Sequence, residues 1–276
     1  MSVSRGPALH SDPEESCLTM AINPIQAVLF DMGGTLENLY NDEAIRQEAT
    51  RGLRELLRER GVDPGLSLPE LQSAVSSGLK AYQSWRKQSE AELPPDLVWG
   101  KYILADYGLS RLKLAAAAED IAFFYETHYH RRSLRPEAPA ALEALYKLGF
   151  RLAIISNVIS RRLVPYKLAE YGIAHYFDPV VTSSCLGWRK PNERIFDEAT
   201  RLMQLPPDAC AYVGDTISRD VIGARRAGYG LAIQIRSFLT AKSDRGVEAV
   251  PPDAVIQDLR QVADLLTRNT ETVHDN

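Results

Sequence analysis

The sequence predicts an α/β fold: a parallel sheet with helices on both faces, with an α-helical domain inserted after the first strand. Three observations lead there. Short apolar runs rich in Val, Ile and aromatics recur along the chain, segments of helical spacing separate most of them, and the first gap stretches from Phe30 to Leu152. Such a gap is far too long for a simple crossover.

The runs place strands at Ala27–Phe30, 152–155, 179–182, 210–213 and Leu231–Ile235, with a sixth at 254–257. Continuous apolar stretches suit strands buried on both faces. Helical spacing at 139–148, 161–171, 192–204 and 219–227 makes the later strands parallel, and a helix at 259–266 closes the domain. Inside the long gap, Ile45, Ala49, Leu53 and Leu56 form one helical stripe that ends near Gly61. Ser67 and Glu70 form a capping box before Leu71, Val75, Leu79 and Tyr82, and further helices are expected at 97–107 and 114–129, after Pro94-Pro95. The chain then divides into a disordered tail at 1–24, a core from 25–37 and 136–268, a helical cap at 38–135, and a frayed end at 269–276. The cap's two connections lie near the end of the first strand and near Pro136, so it would close over the site as a lid.

Composition narrows the function. The 276 residues are 45% hydrophobic with a net charge of −4, so there is no overall basic field for nucleic acid, and Arg131-Arg132 with Arg135 read as solvated helix ends. Cys17, Cys185 and Cys210 are odd in number and lack metal-ligand spacing, which points to a reducing cytoplasm and to core-filling roles for Cys185 and Cys210. No apolar run has membrane-spanning length, so a membrane partner is not expected, and no pattern reveals an oligomeric state.

Four motifs sit at the ends of the expected strands: Val28-Leu29-Phe30-Asp31-Met32-Gly33-Gly34-Thr35-Leu36, Ile154-Ile155-Ser156-Asn157, Gly187-Trp188-Arg189-Lys190-Pro191, and Val213-Gly214-Asp215-Thr216-Ile217-Ser218-Arg219-Asp220. Singly, each fits helix capping or a surface turn. Together and in this order, the chain resembles the haloacid dehalogenase superfamily, in its phosphatase-like branch with a helical cap of the C1 type over a Rossmann-like core.

The resemblance implies a reaction and its parts. Asp31 would attack phosphorus and form an aspartyl-phosphate that water hydrolyses, which divides one difficult displacement into two. Asp31, the Gly33 carbonyl and Asp215 would hold Mg²⁺, with Asp220 as a direct or water-mediated ligand. Lys190 would bridge Asp31 and the transferring group; Ser156, Asn157 and the N–H groups of Gly34 and Thr35 would hold the substrate, a small phosphorylated metabolite.

One departure stands out: most phosphatases of this family carry Asp two residues after the nucleophile as general acid and base, and here that position is Gly33. Such a group contributes roughly 10²- to 10⁴-fold, so its loss favours good leaving groups such as sugar 1-phosphates, acyl phosphates or aryl phosphates. It also opens alternatives: a haloacid dehalogenase, whose halide needs no proton; a phosphonatase-like enzyme using Lys80, Lys87, Lys101 or Lys113 as a Schiff base; or a weakly active phospholigand-binding protein. Cap residues Tyr82, Trp85, Arg86, Trp99, Tyr102, His128 and His130 are candidate contacts, read as bundle core for the aromatics and as exposed for the histidines. His128 is the first candidate for a substitute acid.

Overall fold

A computed structural model describes residues 24–237, 244 and 250–274, so the first 23 residues, Cys17 among them, and the last two lie outside the described residues. In chain order the elements are β1 (Ala27–Phe30), β2 (Glu37–Tyr40), α1 (Glu43–Glu59), α2 (Leu68–Ser89), α3 (Pro95–Leu97), α4 (Arg111–His128), β3 (Arg131–Leu134), α5 (Ala138–Lys147), β4 (Arg151–Ser156), α6 (Leu163–Glu170), β5 (Phe177–Thr182), α7 (Ser183–Leu186), α8 (Glu193–Met203), β6 (Cys210–Gly214), α9 (Ile222–Arg226), β7 (Leu231–Ile235), β8 (Ala254–Ile256) and α10 (Gln261–His274).

Six strands form one parallel sheet in the order β5-β4-β1-β6-β7-β8. All four residues of β1 are buried, which is why this strand of continuous apolar character sits in the middle, between β4 and β6. Alternating side chains of β1 feed two cores. Val28 and Phe30 pack with Leu142, Leu145 and Val262 on one face, and Ala27 and Leu29 with Ile195, Phe196 and Tyr212 on the other. No described helix is long and apolar enough to cross a membrane. The closing helix α10 continues to His274, past the expected fraying point. Cys210 fills the core as expected, whereas Cys185 is exposed.

The cap is a helical bundle with its own core of Leu53, Leu57, Leu71, Tyr82, Trp99 and Ile121. Asp42 caps α1 by accepting from the Ile45 N–H, and the expected capping box at Ser67 and Glu70 starts α2. The stretch read as one helix at 97–107 is broken: after α3 a wide π turn, Val98–Ile103, brings Val98, Trp99 and Ile103 inward, and a 3₁₀ turn follows at Ala105–Tyr107.

A two-stranded antiparallel ribbon, β2 with β3, joins cap to core. It corrects the reading of the arginines as solvated helix ends. Arg131 and Arg132 lie in β3; Arg132 pairs with the buried carboxylate of Glu37 at 2.7 Å, and Tyr171 donates to the other Glu37 oxygen at 2.9 Å. Arg135 is buried and donates to the carbonyls of Gly34 and Arg236, both at 3.1 Å. Four-residue strands of mixed polarity carry little apolar signal, so the ribbon is legible only through these side-chain partners.

Two buried glutamates lock the cap down. Glu92 accepts from Tyr82, from Ser183 at 2.8 Å and from Arg189 at 2.6 Å, while the adjoining chain bridges Ala91 to Trp188. Glu126 on α4 accepts from the Ile159 and Ser160 N–H groups, each at 2.9 Å. Burial pushes the Glu126 carboxyl up to about 7, against the pull of Arg132 and the two N–H groups. The folded protein therefore keeps this proton to about pH 7, whereas the unfolded chain releases it from 4.5. The resulting stability is fully present below 4.5 and is lost as pH rises through about 7. Urea unfolding between pH 5 and 8 (roughly) should show a contribution on the order of 3 kcal/mol lost with rising pH, absent in Glu126→Gln.

Candidate active site

Three neighbouring strands deliver the site. Asp31 follows β1, Ser156 ends β4 and Asp215 follows β6, all at the carboxyl edge of the sheet where open α/β folds bind ligands. Asp31 is fixed by its own N–H, which donates to the Val213 carbonyl at 2.9 Å. Asp220 arrives from a wide π turn, Ile217–Val221, which turns it inward and starts the expected helix earlier than Arg219.

The buried ammonium of Lys190 joins these parts. It donates to Asp31 Oδ1 at 2.7 Å, Asp220 Oδ1 at 2.7 Å and the Tyr212 hydroxyl at 2.8 Å, which uses all three of its protons. The Tyr212 hydroxyl lies 3.2 Å from both the Ile155 carbonyl and Asp220 Oδ1, to one of which it donates. The other Asp220 oxygen accepts from the N–H of Thr216 at 3.0 Å and from its hydroxyl at 2.6 Å. Both Asp220 oxygens are thus engaged by the protein.

Asp31, Asp215 and Asp220 are all buried, and each offers an oxygen within 4.8 Å of the others. Burial pushes Asp31 up, helped by the Asp220 charge and opposed by Lys190 and Arg219. Burial and the Asp220 and Asp31 charges push Asp215 up to about 7. Burial acts on Asp220 too, but Lys190 and Arg219 bring it below the usual carboxylate range. Three carboxylates thus face two cations, Lys190 and Arg219, the latter with Nη2 3.8 Å from Asp215 Oδ1. An all-oxygen donor set with surplus negative charge fits a hard divalent cation such as Mg²⁺.

Glycines permit this convergence. A Cβ on Gly34, whose φ is +93°, would stand 2.3 Å from Asp215 Oδ2, and one on Gly214 would stand 2.3 Å from the Asp220 Cβ. The expectation that Gly34 and Thr35 hold substrate through their N–H groups is corrected. Gly34 donates to the Glu37 carbonyl at 2.9 Å and Thr35 to the Met32 carbonyl at 3.3 Å, closing the turn after Asp31, and neither lines the cavity. The turn leaves the N–H groups of Met32 and Gly33 without a partner among the described residues.

A cavity of about 300 Å³ opens over Asp31, at the small end of ligand sites. Its lining includes Gly33, Ser156 and Lys190. Asn157 also lines it, but both ends of its amide are bonded to the Lys190 main chain, at 2.9 and 3.0 Å, so the amide holds Lys190 in place. Arg219 was only part of a motif in the sequence, and Tyr212 was only a strand residue. No local pattern marks a strand tyrosine that meets a lysine 22 positions away. His128, the first candidate acid, is exposed and stacked on Phe124, whereas His130 lines the cavity. Tyr82 and Trp99 belong to the cap core as expected.

This fold and this carboxylate–lysine cluster define a hydrolase with a capped α/β core. Residues 25–228 match the family described as haloacid dehalogenase-like hydrolase, and the chain belongs to that family. Glyceraldehyde 3-phosphate phosphatase of Methanopyrus kandleri is 31% identical over 88% of this chain and 97% of its own. Phosphoglycolate phosphatase of Vibrio vulnificus is 28% identical over 90% and 98%. Among solved structures, a 2-haloacid dehalogenase from Pseudomonas syringae pv. Tomato superposes with a TM-score of 0.61 at 25% identity, covering 88% of this chain and 99% of its own.

Gly34→Ala should force Asp215 aside and strain a left-handed backbone, weakening divalent-cation binding at least about tenfold in a Mn²⁺ titration, since comparable disturbance around metal ligands is felt at 10- to 100-fold. Gly33→Ala meets only the flexible end of Leu39, at 2.9 Å, and should bind Mn²⁺ like the wild type.

Proposed function

We propose that this protein is a Mg²⁺-dependent phosphatase of a small phosphorylated metabolite, with Asp31 as nucleophile. The observation that carries the reading is the Lys190 ammonium held 2.7 Å from both Asp31 and Asp220, beside the third carboxylate of Asp215. Asp31 and Asp215, with the Gly33 carbonyl, would hold the ion; Asp220, whose oxygens are taken, orients Lys190 and supports the ion indirectly. The bound cation would neutralise charge where a carboxylate meets a phosphate dianion.

The chain's own residues do the rest. Asp31 attacks phosphorus through the oxygen not bound to Lys190, and Lys190 keeps the carboxylate turned toward the cavity. The Ser156 hydroxyl and the Gly33 N–H, both from residues that line the cavity, would hold phosphoryl oxygens. Water then cleaves the aspartyl-phosphate and frees Asp31.

The names of the similar proteins support a compact substrate with two or three carbons, as does the size of the cavity. Metal-free dehalogenation would leave the buried carboxylate of Asp215 without a task, since of the two only Asp220 orients Lys190. Schiff-base phosphonate cleavage lacks its amine: among the described residues lining the cavity, Lys190 is the sole lysine. The free thiols of Cys185 and Cys210 suit a reducing cytoplasm.

Phosphate release from phosphoglycolate, glyceraldehyde 3-phosphate and an aryl phosphate should require Mg²⁺, stop with chelator and fall at least about 10³-fold in Asp31→Asn. Release that survives either treatment would refute the reading. Halide release from 2-haloacids without phosphate release would replace it with dehalogenation.

A further inference from the structure

Gly33 leaves the reaction without its usual proton donor, and the structure shows what occupies that space. A Cβ on Gly33 would meet Leu39 Cδ1 at 2.9 Å and lie 4.0 Å from Arg132 Nη1. Both neighbours come from the β2–β3 ribbon, where Leu39 and Arg132 are directly paired. The roof over position 33 is therefore cap, not core.

Side chains two apart on a strand share a face, about 7 Å along. The partners of Leu39 and Arg132 on that face are Asn41 and His130, which sit where the ribbon's next pairing would fall beyond Tyr40 and Arg131. All four line the cavity with Asp31. The His130 ring is half-buried, stands edge-on to Tyr125 with centroids 6.2 Å apart, and has its Nδ1 buried.

The chemistry of the lining selects among its members. Asp31 is the nucleophile, and Lys190 has its three protons on Asp31, Asp220 and Tyr212. Arg132 and Arg219 do not give up protons in water, and Ser156, Asn41 and Asn157 are not acids near neutrality. Among the described residues lining the cavity, His130 is the one group of a type that both gives and takes a proton near neutrality.

Resting on the phosphatase reading above, we propose that His130 is the proton donor to the leaving group, delivered by the cap ribbon in place of a core carboxylate at position 33. As an Asp31 oxygen bonds to phosphorus, the ester P–O bond breaks and its electron pair passes to the leaving oxygen. That oxygen takes the imidazolium N–H proton and departs as an alcohol, leaving His130 neutral. When water attacks the phosphorus of the aspartyl-phosphate, the P–O bond to Asp31 breaks, and the proton lost by the water restores the imidazolium. Such a donor serves alkyl phosphates, whose alkoxides are poor leaving groups, far more than aryl phosphates.

The test is kcat/KM, which reports the steps through departure of the leaving group, for phosphoglycolate and for p-nitrophenyl phosphate. His130→Gln and His130→Asn are compared with wild type, with folding checked by circular dichroism. The proposal expects the alkyl value to fall about 10²-fold or more, and the aryl-to-alkyl ratio to rise at least about tenfold in both variants. Folded variants in which the two substrates fall equally, or in which neither falls, would overturn the role of His130 and leave the phosphatase reading standing. A wild-type protein that releases phosphate from neither substrate would overturn that reading, and the proposal with it.

Discussion

The Lys190 ammonium is the interaction on which the site depends. Three buried carboxylates within 4.8 Å would repel one another strongly, and burial alone already pushes Asp31 and Asp215 toward their protonated forms. A charge with no proton left unbonded, 2.7 Å from Asp31 and Asp220, keeps the first aimed and the second ionised. Removing one partner of such a buried pair strands the other, which typically costs about 3–5 kcal/mol. Everything around Lys190 holds it still: Asn157 grips its main chain, Tyr212 takes its third proton, and Thr216 fixes the far side of Asp220. The surplus negative charge that remains is the chemical case for a divalent cation.

The same economy of space explains the glycines. Gly34 and Gly214 bring Asp215 and Asp220 against neighbouring backbone that any side chain would occupy. Gly33 differs in kind, because what borders it is the methyl end of Leu39 and the guanidinium of Arg132, both from the cap ribbon. Cap and catalytic turn are thus one packed unit, secured by Arg132 on Glu37, Arg135 on the Gly34 carbonyl, Glu92 on Arg189 and Glu126 on the loop after β4.

Much of this was legible from residue pattern. The continuous apolar run Ala27–Phe30 marked a buried parallel strand to the residue, because burial on both faces leaves no polar interruption, and Leu231–Ile235 was marked as closely despite Gln234, whose amide reaches the Asp215 carbonyl. Asp31, Lys190, Asp215 and Asp220 stood out through the resemblance carried by four motifs in order; Asp31 and Asp215 directly follow buried strands, whereas Lys190 lies eight residues past β5 and Asp220 five past Asp215. What was missed depends on partners far along the chain. The ribbon's strands are short and charged, and Glu37 finds Arg132 and Tyr171 only after the cap has folded back. The N–H groups of Gly34 and Thr35 were misassigned because the turn's internal hydrogen bonds cannot be read from glycine content. His128 and His130 differ by two positions, yet His128 ends α4 and is exposed, whereas His130 lies in the bend just before β3 and lines the cavity with Asp31.

The central claim is that Asp31 carries the phosphoryl group during turnover. Acid-quenching the Mg²⁺-loaded protein during hydrolysis of an aryl phosphate, followed by peptide mass spectrometry, tests it directly. The account predicts a hydroxylamine-labile phosphoryl group on the peptide containing Asp31, absent in Asp31→Asn. A phosphoryl group on another residue, or steady turnover with no covalent species on Asp31, would contradict it.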